Sequence, residues 1–174
     1  MRRSAFRDYY DIYSILREGV GLEQLIPKAI EHSGFRLKTK NLISILSNGY
    51  FFRKDEDFST LHPIYDVSSA DIELYIRSLL SKQQKLDDAV SVFIERAKDP
   101  RARSFSSEGS QILDEFFNQF VLEEKNKELE HLLDLCKDAA IHQNIPHAWI
   151  EDAIKELAEF ANGNRRTPSN GLKR

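Results

Sequence analysis

Apolar side chains recur at intervals of three and four residues along most of the chain, and only seven glycines and five prolines are available to interrupt them. Gly and Pro weaken a helix interior most, so their scarcity beside abundant Leu, Ile, Ala, Glu and Lys makes helices the natural local structure. A β-rich chain would need more turns. With 174 residues, 41% hydrophobic and 30% charged, the chain can bury one substantial core or two small helical units. The expected fold is all-α, a bundle of about six to seven helices with a long irregular segment near residues 50–67.

Residues 7–17 read as a first helix, with Tyr10, Ile12, Tyr13, Ile15 and Leu16 on its apolar faces and Gly19 and Gly21 as its stop. In residues 22–32, Leu22, Leu25, Ile26, Ala29 and Ile30 fall at helical spacing. Pro27 is expected to delay or kink the start, and Ser33 with Gly34 ends it. Thr39 is placed to cap a third helix over residues 40–47, closed by Asn48 and Gly49. From Tyr50 to Val67, aromatics mix with the charged run Arg53 to Asp57 and with His62 and Pro63, the composition of a long connection returning over the surface.

Ser68 with Asp71 three residues on is a capping-box pattern, opening a helix that carries Ile72, Leu74, Tyr75, Ile76, Leu79 and Leu80. The polar residues 81–85 fit either a linker or a continuous turn, because Leu86, Ala89, Val90, Val92, Phe93, Ile94 and Ala97 resume the pattern. A boundary is expected near residue 83, separating a helical part over 1–82 from a helical extension over 83–163. After an exposed loop beyond Pro100, Ile112, Leu113, Phe116, Phe117, Phe120 and Val121 form one stripe, and Leu129, Leu132, Leu133, Leu135, Cys136 and Ala139 another. One long helix or a hairpin fits both. A last helix over 147–160 offers Trp149, Ile150, Ile154, Leu157 and Phe160 to the core, and residues 164–174 have the composition of a disordered tail.

A formal net charge of −3 gives no overall attraction for nucleic acid or anionic membranes and leaves only local patches to provide it. The single cysteine, Cys136, excludes an intrachain disulfide and fits a reducing compartment. No apolar run approaches bilayer length, and the opening residues are too polar for a signal-peptide core. A cytoplasmic protein with no membrane partner is expected.

Arg7-Asp8-Tyr9-Tyr10-Asp11 is the constellation whose residue types and spacing suggest chemistry. Carboxylates three residues apart share one side of a helix, where they can act together on a cation, a Lys or a reacting hydroxyl, with Arg7 available for a phosphate. The competing reading is a helix start, since acidic residues are favoured in any first turn.

The string Arg7-Asp8-Tyr9-Tyr10-Asp11-Ile12-Tyr13, followed by Leu16 and a helix beginning Leu22-Glu23-Gln24-Leu25, resembles the fourth motif, Arg-Asp-x-x-Asp, of the prokaryotic AbiEii-type nucleotidyltransferase toxins. The resemblance covers roughly residues 3–82, and only the short motif is sharp. It implies the toxin component of a type IV toxin–antitoxin or abortive-infection system. It also implies NTP and Mg2+ as cofactors, a nucleic-acid or protein acceptor, and an antitoxin protein as a possible partner. Asp8 and Asp11 take the matching acidic positions beside the nucleotide, and Arg7 orients them or meets phosphate. The resemblance does not extend to residues 83–174.

In that family a Gly-Ser or Gly-Gly turn with a paired Asp-x-Asp comes first and holds metal and triphosphate. No Gly-Ser or Gly-Gly turn followed by such a pair occurs in this chain, so it reads as a C-terminal part, inactive alone, either a gene fragment or the companion of a separate nucleotidyltransferase half. The alternative is a non-catalytic helical protein-interaction module, in which Asp8 and Asp11 merely start a helix.

Other residues carry weaker signals. His142 and His147, with Asp138 and Glu151, straddle Pro146 and do not share a helix face, so a metal site is not expected there. Cys136 has the neighbours of a small core residue. Phe116, Phe117 and Phe120 read mostly as core, although three phenylalanines within five residues exceed what one narrow stripe can bury and leave room for one to face a partner. Arg96, Lys98, Arg101 and Arg103 form the densest basic stretch, suited to RNA phosphate or to a solvated helix end, and residues 123–130 read as a solvated face.

Overall fold

The computed structural model describes residues 6–52, 58 and 62–163. Among them the chain forms α1 (Phe6–Arg17), α2 (Leu22–His32), α3 (Thr39–Leu46), a 3-10 turn (Gly49–Phe51), α4 (Ser69–Lys98), α5 (Ser107–Asn118), α6 (Leu122–His142) and α7 (His147–Gly163). These are seven α-helices with no strand among the described residues, so the fold is all-α. No helix there is long and apolar enough to cross a membrane. The tail 164–174 lies outside the described residues.

The chain divides into two compact units, Met1–Lys82 and Gln83–Arg174, and the division falls inside α4. Residues 81–85 are therefore uninterrupted helix rather than a linker. Gln83 and Gln84 each donate to an aspartate one turn on, Asp87 and Asp88, at 2.9 Å, which supports the helix along this polar stretch.

In the first unit, α1 supplies the centre of the core: Phe6, Tyr9, Tyr10, Tyr13 and Leu16 are buried against Leu22, Leu46, Phe52, Phe58, Ile72 and Ile76. Phe52 and Phe58 correct the expectation of a segment lying wholly on the surface, since both turn inward. The charged run 53–57 and residues 59–61 lie outside the described residues. Pro27 neither delays nor breaks α2, which starts at Leu22. Pro27 and Glu23 are both exposed, so water can serve the carbonyl that the missing N–H leaves free. Thr39 is the first helical residue of α3 rather than its cap. Lys38 stands at the cap with no side-chain hydrogen bond.

The capping box at α4 is reciprocal. Asp71 N–H donates to Ser68 Oγ at 3.2 Å, while Asp71 Oδ2 accepts from Ser68 N–H at 2.8 Å and from the Ser68 hydroxyl at 2.6 Å. Of the apolar residues read onto this helix, Ile72 and Ile76 are fully buried, whereas Leu74 faces outward.

The second unit packs Leu86, Ala89, Phe93 and Ala97 of α4 with Leu113, Phe116 and Phe117 of α5, Leu132, Cys136 and Ala140 of α6, and Ile150, Ala153, Leu157 and Ala161 of α7. The alanines leave room for helix backbones to approach. Residues 119–121 separate α5 from α6, which decides against one long helix.

Phe116 and Phe117 are buried and Phe120 packs partly against the same core. The set is thus mostly core, with Phe120 left partly exposed. Residues 123–130 are not uniformly solvated either, because Lys125 is buried with its ammonium 5.3 Å from the centre of the Phe117 ring. Trp149, assigned to the core from its spacing, lies at the surface.

Phe116→Ala is expected to destabilise the second unit by about 3–5 kcal/mol, whereas Val121→Ser, at the exposed junction, should stay within about 0.5 kcal/mol in urea unfolding. In the first unit, hydrogen bonds from the Ser68 hydroxyl and N–H hold the Asp71 carboxyl below the usual carboxylate range. A carboxyl favoured as its anion stabilises the fold above its unfolded pKa and loses that contribution as pH falls through the folded value. Acid unfolding below about pH 4 should therefore flatten in Asp71→Asn, as followed by circular dichroism.

Candidate functional site

Helix α1 has two sides. One is wrapped in aromatic rings: Tyr9 stacks on Phe52 with centroids 4.0 Å apart, Tyr10 meets Phe58 edge-on at 4.9 Å, and Tyr13 meets Tyr65 at 5.5 Å and Tyr75 at 5.2 Å. The phenols reach polar partners within and around this core. Tyr9 donates to the Leu46 carbonyl at 2.6 Å, Tyr10 accepts the Tyr65 N–H at 2.8 Å, and Tyr75 donates to the Leu16 carbonyl at 3.4 Å. At the end of the helix, the Arg17 guanidinium lies 5.6 Å from the centres of both the Tyr65 and Tyr75 rings.

The other side carries Arg7, Asp8 and Asp11, all exposed. The burial of Phe6, Tyr9, Tyr10, Tyr13 and Leu16 determines this arrangement, because five buried positions on one side of a 12-residue helix leave one free flank, and the motif's charged residues occupy it. Asp8 and Asp11 stand three residues apart and Arg7 and Asp11 four apart, spacings that bring side chains together on a helix surface. Among the described residues, none of the three has a hydrogen-bond or ion-pair partner. Asp8 also lies in the first turn, where the helix dipole favours an anion; Asp11 is beyond that turn, and its position has no such explanation.

Two exposed carboxylates do not make a resident metal site. Mg2+ requires near-octahedral oxygen ligation, and no group of three or more potential ligand side chains occurs among the described residues. The pair could supply only part of a metal's ligand set.

The other charged groups singled out in the sequence separate from this set. Arg96 is withdrawn from any phosphate role: its side chain is only 10% exposed, its Nε donates to Glu156 at 2.7 Å, and Glu156 also accepts the Phe105 N–H at 2.6 Å. His142 Nδ1 lies 2.7 Å from the Asp138 carbonyl, and His147 pairs with Glu151 at 3.8 Å on a different helix. Cys136 is fully buried, and burial pushes its thiol pKa up, which removes the thiolate that nucleophilic chemistry needs.

A contact that sequence pattern could not reveal is made by Glu73 on α4. It accepts the Gly49 N–H at 2.7 Å and Arg77 Nε at 2.8 Å. A Cβ at Gly49 would collide with the Ser69 carbonyl at 2.5 Å, so the glycine allows the 3-10 turn to lie against the start of α4.

Burial, aided by the Glu73 carboxylate and opposed by Arg77, pushes the Tyr9 phenol pKa up to about 12. A group whose folded pKa is raised stabilises the fold below its unfolded pKa, and that contribution is lost as pH rises through the folded value. Stability should therefore decline between about pH 10 and 12, and ultraviolet titration should show one tyrosine ionising last, a step absent in Tyr9→Phe. The same substitution leaves the Leu46 carbonyl short of a donor and should cost about 1–2 kcal/mol.

No family model, curated protein or solved structure matched the chain.

Proposed function

We propose that the chain is the C-terminal part of an AbiEii-like nucleotidyltransferase, the toxin of a type IV toxin–antitoxin system, with Arg7, Asp8 and Asp11 on α1 as its contribution to the nucleotide site. The observation that carries this reading is the segregation of the motif: its two tyrosines are buried in the aromatic core, while its three charged residues share the exposed flank of the same helix. A helix anchored on one side fixes the backbone positions from which its carboxylates project, as positioning of a reacting group demands.

In this reading Asp8 and Asp11 accept hydrogen bonds from the nucleotide and would help hold its metal, and Arg7 orients them or meets phosphate. Nucleotidyl transfer relies on cations that hold the phosphates in line, and Mg2+ bound with the NTP would supply that charge. The residues that cradle the triphosphate come from elsewhere, since no Gly-Ser or Gly-Gly turn followed by Asp-x-Asp occurs in this sequence. The chain alone is then a binding half without turnover, suited to a separate nucleotidyltransferase half and an antitoxin protein. A reducing cytoplasm is the compartment proposed for it.

Calorimetric titration of NTP with Mg2+ into the purified chain tests this reading. Weak binding is expected, reduced at least about tenfold by Asp8→Ala or Asp11→Ala, a loss corresponding to roughly 1.4 kcal/mol. No heat at millimolar nucleotide, or binding indifferent to both substitutions, would instead favour the non-catalytic interaction module. Neither substitution touches the core, so circular dichroism should be unchanged in both.

A further inference from the structure

Phe35 presents a conflict between cost and reward. It follows Gly34 at the end of α2, and both residues adopt left-handed backbone, with φ of 62° at Gly34 and 60° at Phe35. For glycine that conformation is free, and Gly34 closes the helix in the usual way, with Gly34 N–H bonded to the Glu31 carbonyl at 2.8 Å and Phe35 N–H to the Ile30 carbonyl at 3.0 Å. For a bulky residue it is an outlier that costs free energy. Packing does not offset that cost, because the Phe35 side chain is 76% exposed.

The corner holding the ring is well fixed. The Ser33 hydroxyl donates to the Ile30 carbonyl at 2.7 Å and accepts the Leu37 N–H at 3.1 Å, and Arg36 Nε donates to the Ser33 carbonyl at 3.0 Å. Beside it lies an open hollow of about 650 Å3 lined by Ala29, His32, Ser33, Arg36 and Leu37.

Charge accumulates at the same corner. Between residues 28 and 40 stand Lys28, Arg36, Lys38 and Lys40 together with His32, against Glu31 alone, in a chain whose net charge is −3. All six are exposed. Lys28 and His32 are one helical turn apart on α2, and Arg36 borders the same hollow as His32. An exposed ring flanked along the chain by exposed cations suits a strand that offers flat bases and regularly spaced phosphates, because base stacking and charge neutralisation are then satisfied together.

We propose that the α2–α3 corner binds single-stranded nucleic acid, with a base stacked on Phe35 and backbone phosphates held by Arg36, Lys38 and Lys40. An acidic peptide would answer the cations but gain little from the ring, so the aromatic outlier favours the nucleic acid. This surface does not depend on nucleotidyl transfer, and none of its residues belongs to the Arg7, Asp8 and Asp11 set.

Fluorescence anisotropy of labelled oligouridylate and oligothymidylate with the full chain, over a series of salt concentrations, tests the proposal. Salt-sensitive binding is expected to at least one strand. Phe35→Leu should weaken it about tenfold, while Phe35→Trp should retain it. Arg36→Ala or Lys38→Ala should lower the salt slope by about 0.7 for each phosphate that is no longer neutralised. Circular dichroism of Phe35→Leu should match the parent, since the ring is not part of the core. Absence of binding at low salt overturns the proposal, as does binding untouched by Phe35→Leu and Arg36→Ala. Tighter binding of a polyglutamate peptide, indifferent to Phe35→Leu, overturns it in favour of an acidic protein partner.

Discussion

The first unit depends on the stacking of Tyr9 against Phe52 and on the hydrogen bond from the same phenol to the Leu46 carbonyl. One side chain thereby joins α1 to the end of α3 and to the chain that leaves the 3-10 turn. The stacked ring supplies apolar contact while the hydroxyl satisfies a carbonyl at the end of a helix, where orphan acceptors would otherwise need water. Tyr10 does similar work toward Phe58 and the Tyr65 N–H. Because α1 must turn these tyrosines inward, its remaining flank is polar by necessity, and the charged residues of the motif are displayed there.

The second unit closes in a different way. Its core is aliphatic and phenylalanine-rich, with alanines where helices approach, and its polar anchor is the Glu156 carboxylate, which joins Arg96 to the Phe105 N–H. That carboxylate on α7 holds the residues between α4 and α5 that the sequence marks only as an exposed loop. A partly buried ion pair with additional backbone bonding gives geometric definition more than stability, since desolvation offsets much of the attraction. The loop conformation around Phe105, itself buried, depends on this bond.

Most helix positions were legible from periodicity and from breakers such as Gly34, Gly49 and Pro100, because local sequence and burial demand the same pattern there, whereas the continuity of α4 and the break between α5 and α6 were left open. Interactions between elements were less legible. Phe52 and Phe58 sit in a stretch with no period, so nothing local marks them as core. Lys125 looks solvated by composition, yet its stem lies on the helix face that also carries Leu132 and Cys136. Trp149 and Leu74 fit helical spacing but fall at the edge of their stripes. For the candidate site, the spacing of Asp8 and Asp11 identified a shared helix side, and the exposure of that side follows only once the tyrosine positions are known. The Phe35 corner was invisible to periodicity altogether, because its signal is a backbone angle.

Cys136 gives the chain an internal reporter. It is the sole thiol, it is fully buried, and it belongs to the core of the second unit alone. An alkylating reagent must wait for that core to open, so the labelling rate reports on the opening of the second unit rather than on local fluctuations of the tyrosine-lined one. Native-state fluctuations of the two cores can thus be separated without introducing a mutation, and a ligand that protects the thiol must stabilise the second unit.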